Sequence, residues 1–179
     1  MNHDLHAEAL LIAGRSGVGK TTVGWEISAQ LQAAGVAHCL IEGDNLDQAH
    51  PAPPGDPART KLTEANLAAL WGNYAGLGHR RLIYTNTVSI LEPDLIARAL
   101  GGTPRIISVL LTAEDATARH RLGAREIGSQ LDAHVHRSAT MAARLDTAAP
   151  ADAVRVATDG RPVREIAREV IRATGWTSS

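Results

Sequence analysis

Residues 14–21 of the chain read Gly-Arg-Ser-Gly-Val-Gly-Lys-Thr. This stretch matches the pattern G-x-x-x-x-G-K-[ST], in which a glycine-rich turn leads into Lys and a hydroxyl residue. An apolar run from Ala9 to Ala13 precedes it, and an amphipathic stretch from about Lys20 to Ala33 follows it. The pattern therefore predicts a strand, a phosphate-binding loop and a helix in succession. An ordinary glycine turn before a helix is the alternative, and the motif together with its context favours the phosphate loop.

The chemistry of a triphosphate explains the residue types in this loop. Glycines let successive backbone N–H groups point at phosphate oxygens, and the helix N-terminus adds its partial positive charge. Lys20 is expected to reach the β- and γ-phosphates, and the Thr21 hydroxyl to hold Mg²⁺. Arg15 and Ser16 are expected to supply backbone amides. We expect ATP with Mg²⁺ as the ligand of Gly14, Arg15, Ser16, Gly17, Val18, Gly19, Lys20, Thr21 and Thr22.

Composition indicates one compact domain over residues 1–179, with 44% hydrophobic residues and a formal net charge of -1. The lack of a basic excess argues against an extended nucleic-acid surface. No apolar run reaches the roughly 20 residues that a membrane-spanning helix needs. The single cysteine, Cys39, cannot form an internal disulfide, so we expect a cytoplasmic protein. The sequence leaves monomer and homodimer both open.

Short apolar runs alternate with longer amphipathic stretches, which predicts an α/β fold with a parallel sheet. A proline-rich stretch at 50–57 predicts an exposed loop. Thr63 is expected to cap a helix, and Thr112 with Asp115 to cap another that ends near Arg125. Strands are predicted at about 9–13, 37–42, 81–85, 105–111 and 153–157, and further helices at about 20–33, 93–100, 131–145 and 162–174.

An acidic segment, Glu42-Gly43-Asp44-Asn45, ends the second predicted strand. Residues at the carboxyl ends of parallel strands face the ligand crevice. We predict that Asp44, last on the strand after flexible Gly43, orients Mg²⁺ through water or accepts a proton from an attacking hydroxyl. Glu42 is the second candidate and Asp47 a candidate substrate contact. The alternative is a turn, since Gly-Asp-Asn is good turn chemistry, and for Glu42 both interpretations stay open.

From Leu10 to Asn45, the loop, helix and acidic strand end resemble the start of adenylylsulfate kinase. Gluconate, shikimate and chloramphenicol kinases share the plan more loosely, within the nucleoside-monophosphate-kinase-like group. The resemblance implies a three-layer P-loop fold, with helices on both faces of a five-stranded parallel sheet of order 2-3-1-4-5. It also implies a small helical lid at about 121–135, an acceptor region at about 45–75, and a base or Mg²⁺ carboxylate at Asp44. After Asn45 the chain lacks that family's Arg-Glu-Asn-Ile-Arg-Arg-like helix and Ile-Ser-Pro segment, so the acceptor stays unidentified.

The third predicted strand, Arg81 to Thr85, is followed by Asn86 where a Walker B strand ends in Asp. Asn86 has no carboxylate, but it is able to hydrogen-bond the substrate or a water on Mg²⁺. Asp44 is therefore the candidate general base. The missing acid also argues against a motor or transporter ATPase, which generally needs one at this position. Local turn capping by Asn86 and Thr87 is the alternative.

Arg119, Arg121 and Arg125 fall on one predicted helix, where Arg121 and Arg125 share a face. The stretch 121–126 resembles the Arg-Leu-x-x-Arg entry to the lid of small kinases, with the lid turn at 127–129. The resemblance implies that these arginines neutralise charge on the transferred phosphoryl group, or that one of them packs against adenine. A solvated basic helix face is the alternative.

Two further regions are expected to contact ligands. In related kinases the loop after the fifth strand wraps the adenine, which implies nucleotide contacts for Asp159, Gly160 and Arg161. A loop that serves only to start the last helix is the alternative. Trp71 and Tyr74 continue a helical apolar stripe, which favours a core position over a pocket wall. Arg59 and Lys61 are candidate contacts for an anionic acceptor. The predicted substrate set is Asp44, Asn45, Asp47, Arg59 and Asn86.

These features predict an ATP-dependent small-molecule kinase with Lys20, Asp44, Arg121 and Arg125 as catalytic residues. The missing Walker B acid keeps a second hypothesis open, a P-loop nucleotide-binding protein of resistance or regulatory type with little turnover. A GTPase switch is disfavoured, because the chain has no Asn-Lys-x-Asp guanine motif.

Overall fold

A computed structural model describes residues 6–125 and 131–177. Within these ranges a parallel sheet alternates with α-helices, and short 3₁₀ turns at Gly43–Asn45 and Ser89–Leu91 follow the second and third strands. The strands are β1 (Glu8–Ala13), β2 (Cys39–Glu42), β3 (Arg81–Thr85), β4 (Arg105–Thr112) and β5 (Val154–Ala157). The helices are α1 (Lys20–Ala33), α2 (Thr60–Gly76), α3 (Pro93–Leu100), α4 (Asp115–Arg125), α5 (Leu131–Ala148) and α6 (Val163–Thr174).

The sheet has the order β2-β3-β1-β4-β5, and all of its strand pairs are parallel. This confirms the predicted order. β1 lies at the centre, where Leu10 is in register with Ile83 on one side and with Ile107 on the other. Because all strands run the same way, the segments that follow their carboxyl ends meet at one edge of the sheet.

Helices cover both faces of the sheet, which confirms the three-layer α/β fold. One face packs against α2 and α3 through residues such as Leu67, Trp71 and Leu95. The other packs against α1 and α6 through residues such as Ile27 and Val170. Trp71 is buried and its Nε1 donates to the Leu100 carbonyl at 3.1 Å, so it belongs to the core as expected.

The start of α2 differs from the prediction. Thr63 was expected to cap this helix, but α2 begins at Thr60 and Thr63 lies inside it, with its hydroxyl donating to the Arg59 carbonyl at 3.0 Å. The carboxylate of buried Asp56 accepts from the Leu62 N–H at 3.1 Å instead. The helix therefore begins closer to the proline-rich loop, where Asp56 satisfies an otherwise unpaired amide of the first turn.

At the amino end of the sheet, Glu8 links β1 to both its neighbours and to the chain after α6. Its carboxylate accepts from Arg105 Nη1 at 2.6 Å, Trp176 Nε1 at 3.0 Å and Arg81 Nε at 3.4 Å. Burial alone would raise the pKa of Glu8, but the hydrogen bonds from Arg105 and Trp176 outweigh it and lower the pKa. The ionised form is therefore the one that the fold stabilises.

We expect Glu8→Gln to lower the free energy of unfolding by about 1 kcal/mol at pH 7, since the pairs are partly exposed and screened. Because the folded pKa is lowered, the contribution is present above the ordinary value of 4.5 and is lost as pH falls below it. Urea unfolding at pH 7 and at pH values below 4.5 measures this. Glu64→Gln, which breaks only the surface pair with Arg98, is the control and should change stability less. An equal loss at both pH values would contradict the argument.

No helix in the described parts of the chain is both long and apolar enough to cross a membrane.

Candidate active site

The loop between β1 and α1 adopts the conformation that its glycines permit. Gly14, Gly17 and Gly19 all have positive φ, at 152°, 84° and 102°. A Cβ on Gly17 would lie 2.7 Å from the Ala118 carbonyl oxygen, so close packing on α4 also requires glycine there. Gly19 precedes the first residue of α1, which has no side-chain cap and no acidic residue in its first turn. The positive end of α1 is thus left for an external anion.

A crevice of about 450 Å³ lies over this helix end, and we call it the nucleotide crevice. It is lined by Ser16, Gly17, Gly19, Lys20, Thr21, Thr22, Asp44 and Leu122. Lys20 lies across the loop, where its Nζ donates to the Gly14 carbonyl at 2.8 Å and to the Arg15 carbonyl at 3.4 Å. Loop residues, Lys20, Thr21 and Asp44 therefore line one crevice.

Arg15 has a structural role that sequence reasoning missed. We expected only its backbone amide to matter, but its side chain is 3% exposed and ion-paired to Asp115 on α4. Its Nε also donates to Ser138 Oγ on α5 at 2.9 Å, and that hydroxyl donates to the Ser16 carbonyl at 2.9 Å. The phosphate loop is therefore fixed to the two helices that flank residues 126–130. No local signal pointed to Asp115 or Ser138, which lie 100 and 123 positions from Arg15.

Asp44 is positioned by a turn, not by the strand itself. β2 ends at Glu42, and Asp44 lies in the 3₁₀ turn that follows, so its predicted place as the last strand residue is wrong. Gly43 makes the turn possible, because a Cβ there would lie 2.6 Å from Tyr84 Cζ and 2.9 Å from Asn86 Cβ. Asn86 Nδ2 donates to Asp44 Oδ1 at 3.0 Å. The side chains of Asp44, just after β2, and Asn86, just after β3, thus contact each other at the edge where a Walker B acid is missing.

The surroundings of Asp44 change its acidity. Desolvation in the crevice raises the pKa of Asp44, and the nearby carboxylates of Asp47 and Glu42 raise it further, while Lys20 acts in the opposite direction. A carboxylate with a raised pKa binds a proton more readily than an ordinary surface aspartate. Asp44 is thereby a stronger base than an ordinary aspartate, as a proton acceptor requires.

The other predicted residues of this edge occupy different positions. Glu42 accepts a hydrogen bond from Trp25 Nε1 at 2.8 Å, and it is not among the residues that line the nucleotide crevice. Asp47 accepts from Gln48 Nε2 at 3.2 Å, and the same amide donates to the Asp44 carbonyl at 2.7 Å. Asn45 is exposed in the turn.

Arg59 is engaged with its own loop. It immediately precedes α2 with a φ of 57°, and its Nε donates to the Ala49 carbonyl at 3.0 Å. That bond closes the segment between the acidic turn and α2. Its predicted contact with an acceptor stays a prediction.

A second cavity of about 200 Å³ adjoins the loop, and we call it the base pocket. It is lined by Val18, Gly19, Thr22, Val23, Arg121, Thr158, Arg161, Val163 and Ile166. Arg121 Nη1 donates to the Val18 carbonyl and to Thr158 Oγ1, both at 3.0 Å, and its Nη2 donates to the Thr158 carbonyl at 3.1 Å. Arg121 therefore joins the phosphate loop to the loop after β5, and both of its predicted roles stay predictions. The Arg125 side chain and the predicted lid turn lie outside the described residues.

The loop after β5 is ordered by its own side chains. The Asp159 carboxylate accepts from the Glu114 N–H at 3.0 Å, and a hydrogen bond from the Thr117 side chain, the main cause, lowers its pKa. It therefore caps α4, and the predicted cap by Thr112 is wrong because that residue ends β4. Arg161 reaches the base pocket while donating to the Ala157 carbonyl at 2.8 Å, whereas Gly160 is exposed.

The sequence matches no protein-family model and no curated protein. Solved structures do resemble the chain over nearly its whole length. It aligns with the tunicamycin resistance protein of Deinococcus radiodurans at a TM-score of 0.63 and 19% identity, over 95% of this chain and 96% of that one. The APS kinase of Mycobacterium tuberculosis, solved with AMPPNP and APS, gives 0.58 and 20%, over 94% and 98%.

A gluconokinase from Sinorhizobium meliloti gives a TM-score of 0.57 and 20% identity, over 93% of this chain and 90% of that one. The fold is that of the P-loop small-molecule kinases. At these identities the likeness concerns the fold, so the chemistry has to be argued from the residues of this chain.

Proposed function

We propose that this chain is an ATP-dependent phosphotransferase that moves the γ-phosphoryl group to a hydroxyl of a small molecule. The observation that carries the proposal is the nucleotide crevice itself, where Asp44 lines the same space as Lys20 and Thr21. Three parts that phosphoryl transfer needs are thus adjacent: a phosphate cradle, a cation for the phosphates and a proton acceptor. The kinase-like fold of the neighbouring structures supports the same activity.

The donor set also fits Mg²⁺. This ion prefers oxygen ligands and is commonly bound by one or two protein groups together with substrate phosphates. The Thr21 hydroxyl would hold it directly, and the Asp44 carboxylate would do so through water. When bound, the ion neutralises charge on the phosphate oxygens.

The proposed reaction is a direct displacement. Asp44 accepts the proton of the acceptor hydroxyl, the hydroxyl oxygen forms a bond to the γ-phosphorus, and the bond from that phosphorus to the bridging oxygen of ADP breaks. Lys20 and the loop amides stabilise the negative charge on the phosphoryl oxygens. Arg121 lies in the base pocket, between Val18 and Thr158, and is proposed to hold the adenine side.

We expect the chain, given ATP and Mg²⁺, to add one phosphoryl group to members of a panel of sugars, nucleosides and antibiotics. Mass detection of products, with ADP release in parallel, measures this. Hydrolysis of ATP without an acceptor should be slow, because water lacks the contacts that position an acceptor. Fast acceptor-independent hydrolysis would contradict the proposal.

A second candidate is a nucleotide-binding protein of resistance or regulatory type with little turnover. Asn86 in place of a Walker B acid is the feature that favours it, and one fold neighbour is a tunicamycin resistance protein. Tight binding of MgATP with no phosphorylated product from the whole panel would select this candidate.

A further inference from the structure

The peptide unit between Ser16 and Gly17 is oriented by a side chain from a distant part of the chain. The Ser16 carbonyl accepts a hydrogen bond from Ser138 Oγ at 2.9 Å. Ser138 lies on α5, is 3% exposed, and is not among the residues that line the nucleotide crevice. The Ser16 carbonyl therefore points toward α5 and away from the crevice.

The N–H of Gly17 belongs to the same peptide unit. A trans peptide is planar, with its C=O and N–H directed to opposite sides, and the Ser16–Gly17 peptide is trans. The Gly17 N–H is therefore directed to the crevice side, and Ser16 and Gly17 both line the crevice. In the described parts of the chain no backbone carbonyl or side chain accepts a hydrogen bond from this N–H. It is thus a donor that an anion in the crevice is able to use.

Glycine at position 17 leaves this peptide unit free to turn. Gly17 has a φ of 84°, and glycine adopts positive and negative φ with similar ease. Without a restraint, the Ser16 carbonyl and the Gly17 N–H are able to exchange sides. The turned peptide would present a carbonyl oxygen to the phosphate oxygens, where like partial charges repel. An anion site at this loop therefore needs a group that holds the Ser16 carbonyl outward.

Ser138 is itself fixed in the direction that this task requires. Arg15 Nε donates to Ser138 Oγ at 2.9 Å, and the same guanidinium is ion-paired to Asp115. A guanidinium only donates, and a hydroxyl has a single proton. Because the Ser138 oxygen accepts from Arg15, its proton is left for the Ser16 carbonyl. The two hydrogen bonds run in one direction, and each polarises and strengthens the other.

We infer that Ser138 is a positioning residue for nucleotide binding. Its hydroxyl, oriented by Arg15, holds the Ser16–Gly17 peptide so that the Gly17 N–H donates to a phosphate oxygen. Neither side chain is among those that line the crevice, and both act through the peptide. This inference rests on the proposed nucleotide site, and it names a residue of α5, 122 positions from Ser16, on which that site depends.

The neighbouring peptide unit provides an internal comparison. The Val18 carbonyl accepts from Arg121 Nη1 at 3.0 Å, so the Gly19 N–H of that unit is held through α4 and not through Ser138. Gly19 also lines the crevice. Two glycine amides of one loop therefore report on two different restraints.

Nuclear magnetic resonance of the full chain with isotope-labelled glycine reads both amides in one sample. The probe is a non-hydrolysable ATP analogue with Mg²⁺. In the wild type the Gly17 and Gly19 amide protons should both move downfield on binding, because each donates to a charged oxygen. In Ser138→Ala the Gly17 shift should be largely lost while the Gly19 shift is kept. Affinity for the analogue, measured by calorimetry, should fall roughly tenfold.

Two further variants test how Ser138 acts. Arg15→Met should weaken binding of the analogue by a smaller factor, because the Ser138 hydroxyl is present but no longer oriented. The double variant should bind about as weakly as Ser138→Ala alone, since Arg15 acts through Ser138. Thr147→Ala, which removes an exposed α5 hydroxyl that donates to the Ala143 carbonyl, is the matched control and should change neither amide.

The outcomes separate the inference from the function on which it rests. An unchanged Gly17 shift in Ser138→Ala, an unchanged affinity, or an equal loss at Gly17 and Gly19 would each overturn the inference. Phosphoryl transfer by the wild type would then leave the proposed function standing. A Gly17 shift that depends on Ser138, in a chain that phosphorylates no acceptor, would keep the inference and select the nucleotide-binding candidate. A wild-type chain that does not bind the analogue would reject both.

Discussion

Asp44→Asn is expected to lower kcat by roughly 1000-fold, within the range that general base catalysis contributes. The substitution keeps the shape of the side chain and its contact with Asn86 Nδ2, but it removes the site that takes the acceptor proton. MgATP affinity should change little, because Lys20 and the loop amides are unaltered. Steady-state kinetics with the best acceptor, together with binding of a non-hydrolysable ATP analogue, measures both effects. Turnover near that of the wild type would remove Asp44 as the base.

The pH profile shows whether the lost activity belongs to a proton acceptor. Activity should rise as pH increases through the pKa of Asp44, which gives the pH profile an acid limb. Because that pKa is raised, the acid limb should lie above the ordinary aspartate value of 3.8. Asp47→Asn removes one of the charges that raise this pKa and should move the limb to lower pH. Asp152→Asn, which changes an exposed acid outside both cavities, should leave it in place. If Asp47→Asn leaves the acid limb in place, the limb reports the titration of a group other than Asp44.

Stability provides an independent check on the same variant. The pKa of Asp44 is higher in the folded state than in the unfolded state, so folding favours the protonated form. The stability that this form contributes is fully present below the unfolded-state pKa, and it is lost as pH rises through the folded-state pKa. At neutral pH the ionised carboxylate therefore opposes folding. Asp44→Asn should unfold at the same temperature as the wild type or higher, which would exclude unfolding as the cause of lost turnover.

The fold was predictable because its signals are local. The apolar run of β1, the glycine loop and the amphipathic α1 follow one another within residues 8–33, and α1, β3 and α3 have the bounds that the pattern predicted. The strand order came from resemblance, and the parallel pairing of β1 with β3 and β4 confirms it. The start of α2 was missed, because the Asp56 cap lies in a segment whose prolines indicated only a loop.

The site was only partly predictable, because several of its contacts join distant parts of the chain. The pattern indicated Lys20, Thr21 and Asp44, each from its place at the end of a strand or the start of a helix. It gave no sign that the Arg15 side chain would bond to Ser138. It also gave no sign that the turn at Gly43 would pack against Tyr84, where a Cβ would lie 2.6 Å from Tyr84 Cζ.

Lys20→Met is expected to lower kcat/KM by roughly 1000-fold or more, since it removes a preorganised charge aimed at the transferred phosphoryl group. Among the described residues that line the nucleotide crevice, Lys20 is the one cation. Its loss should also weaken binding of the ATP analogue, which distinguishes it from Asp44→Asn. Arg168→Met, an exposed cation on α6, is the control for removing a positive charge.

Two further outcomes follow from the contacts of this lysine. Lys20→Arg should not restore activity, because a planar guanidinium does not replace a compact ammonium that donates to the Gly14 carbonyl. Lys20 also lowers the pKa of Asp44, so its removal should move the acid limb of the residual activity to higher pH. Because both residues serve one step, the Lys20→Met and Asp44→Asn losses should combine to less than their product. If the two losses multiply fully, or if Lys20→Met leaves the acid limb in place, Lys20 and Asp44 do not act together on one phosphoryl transfer.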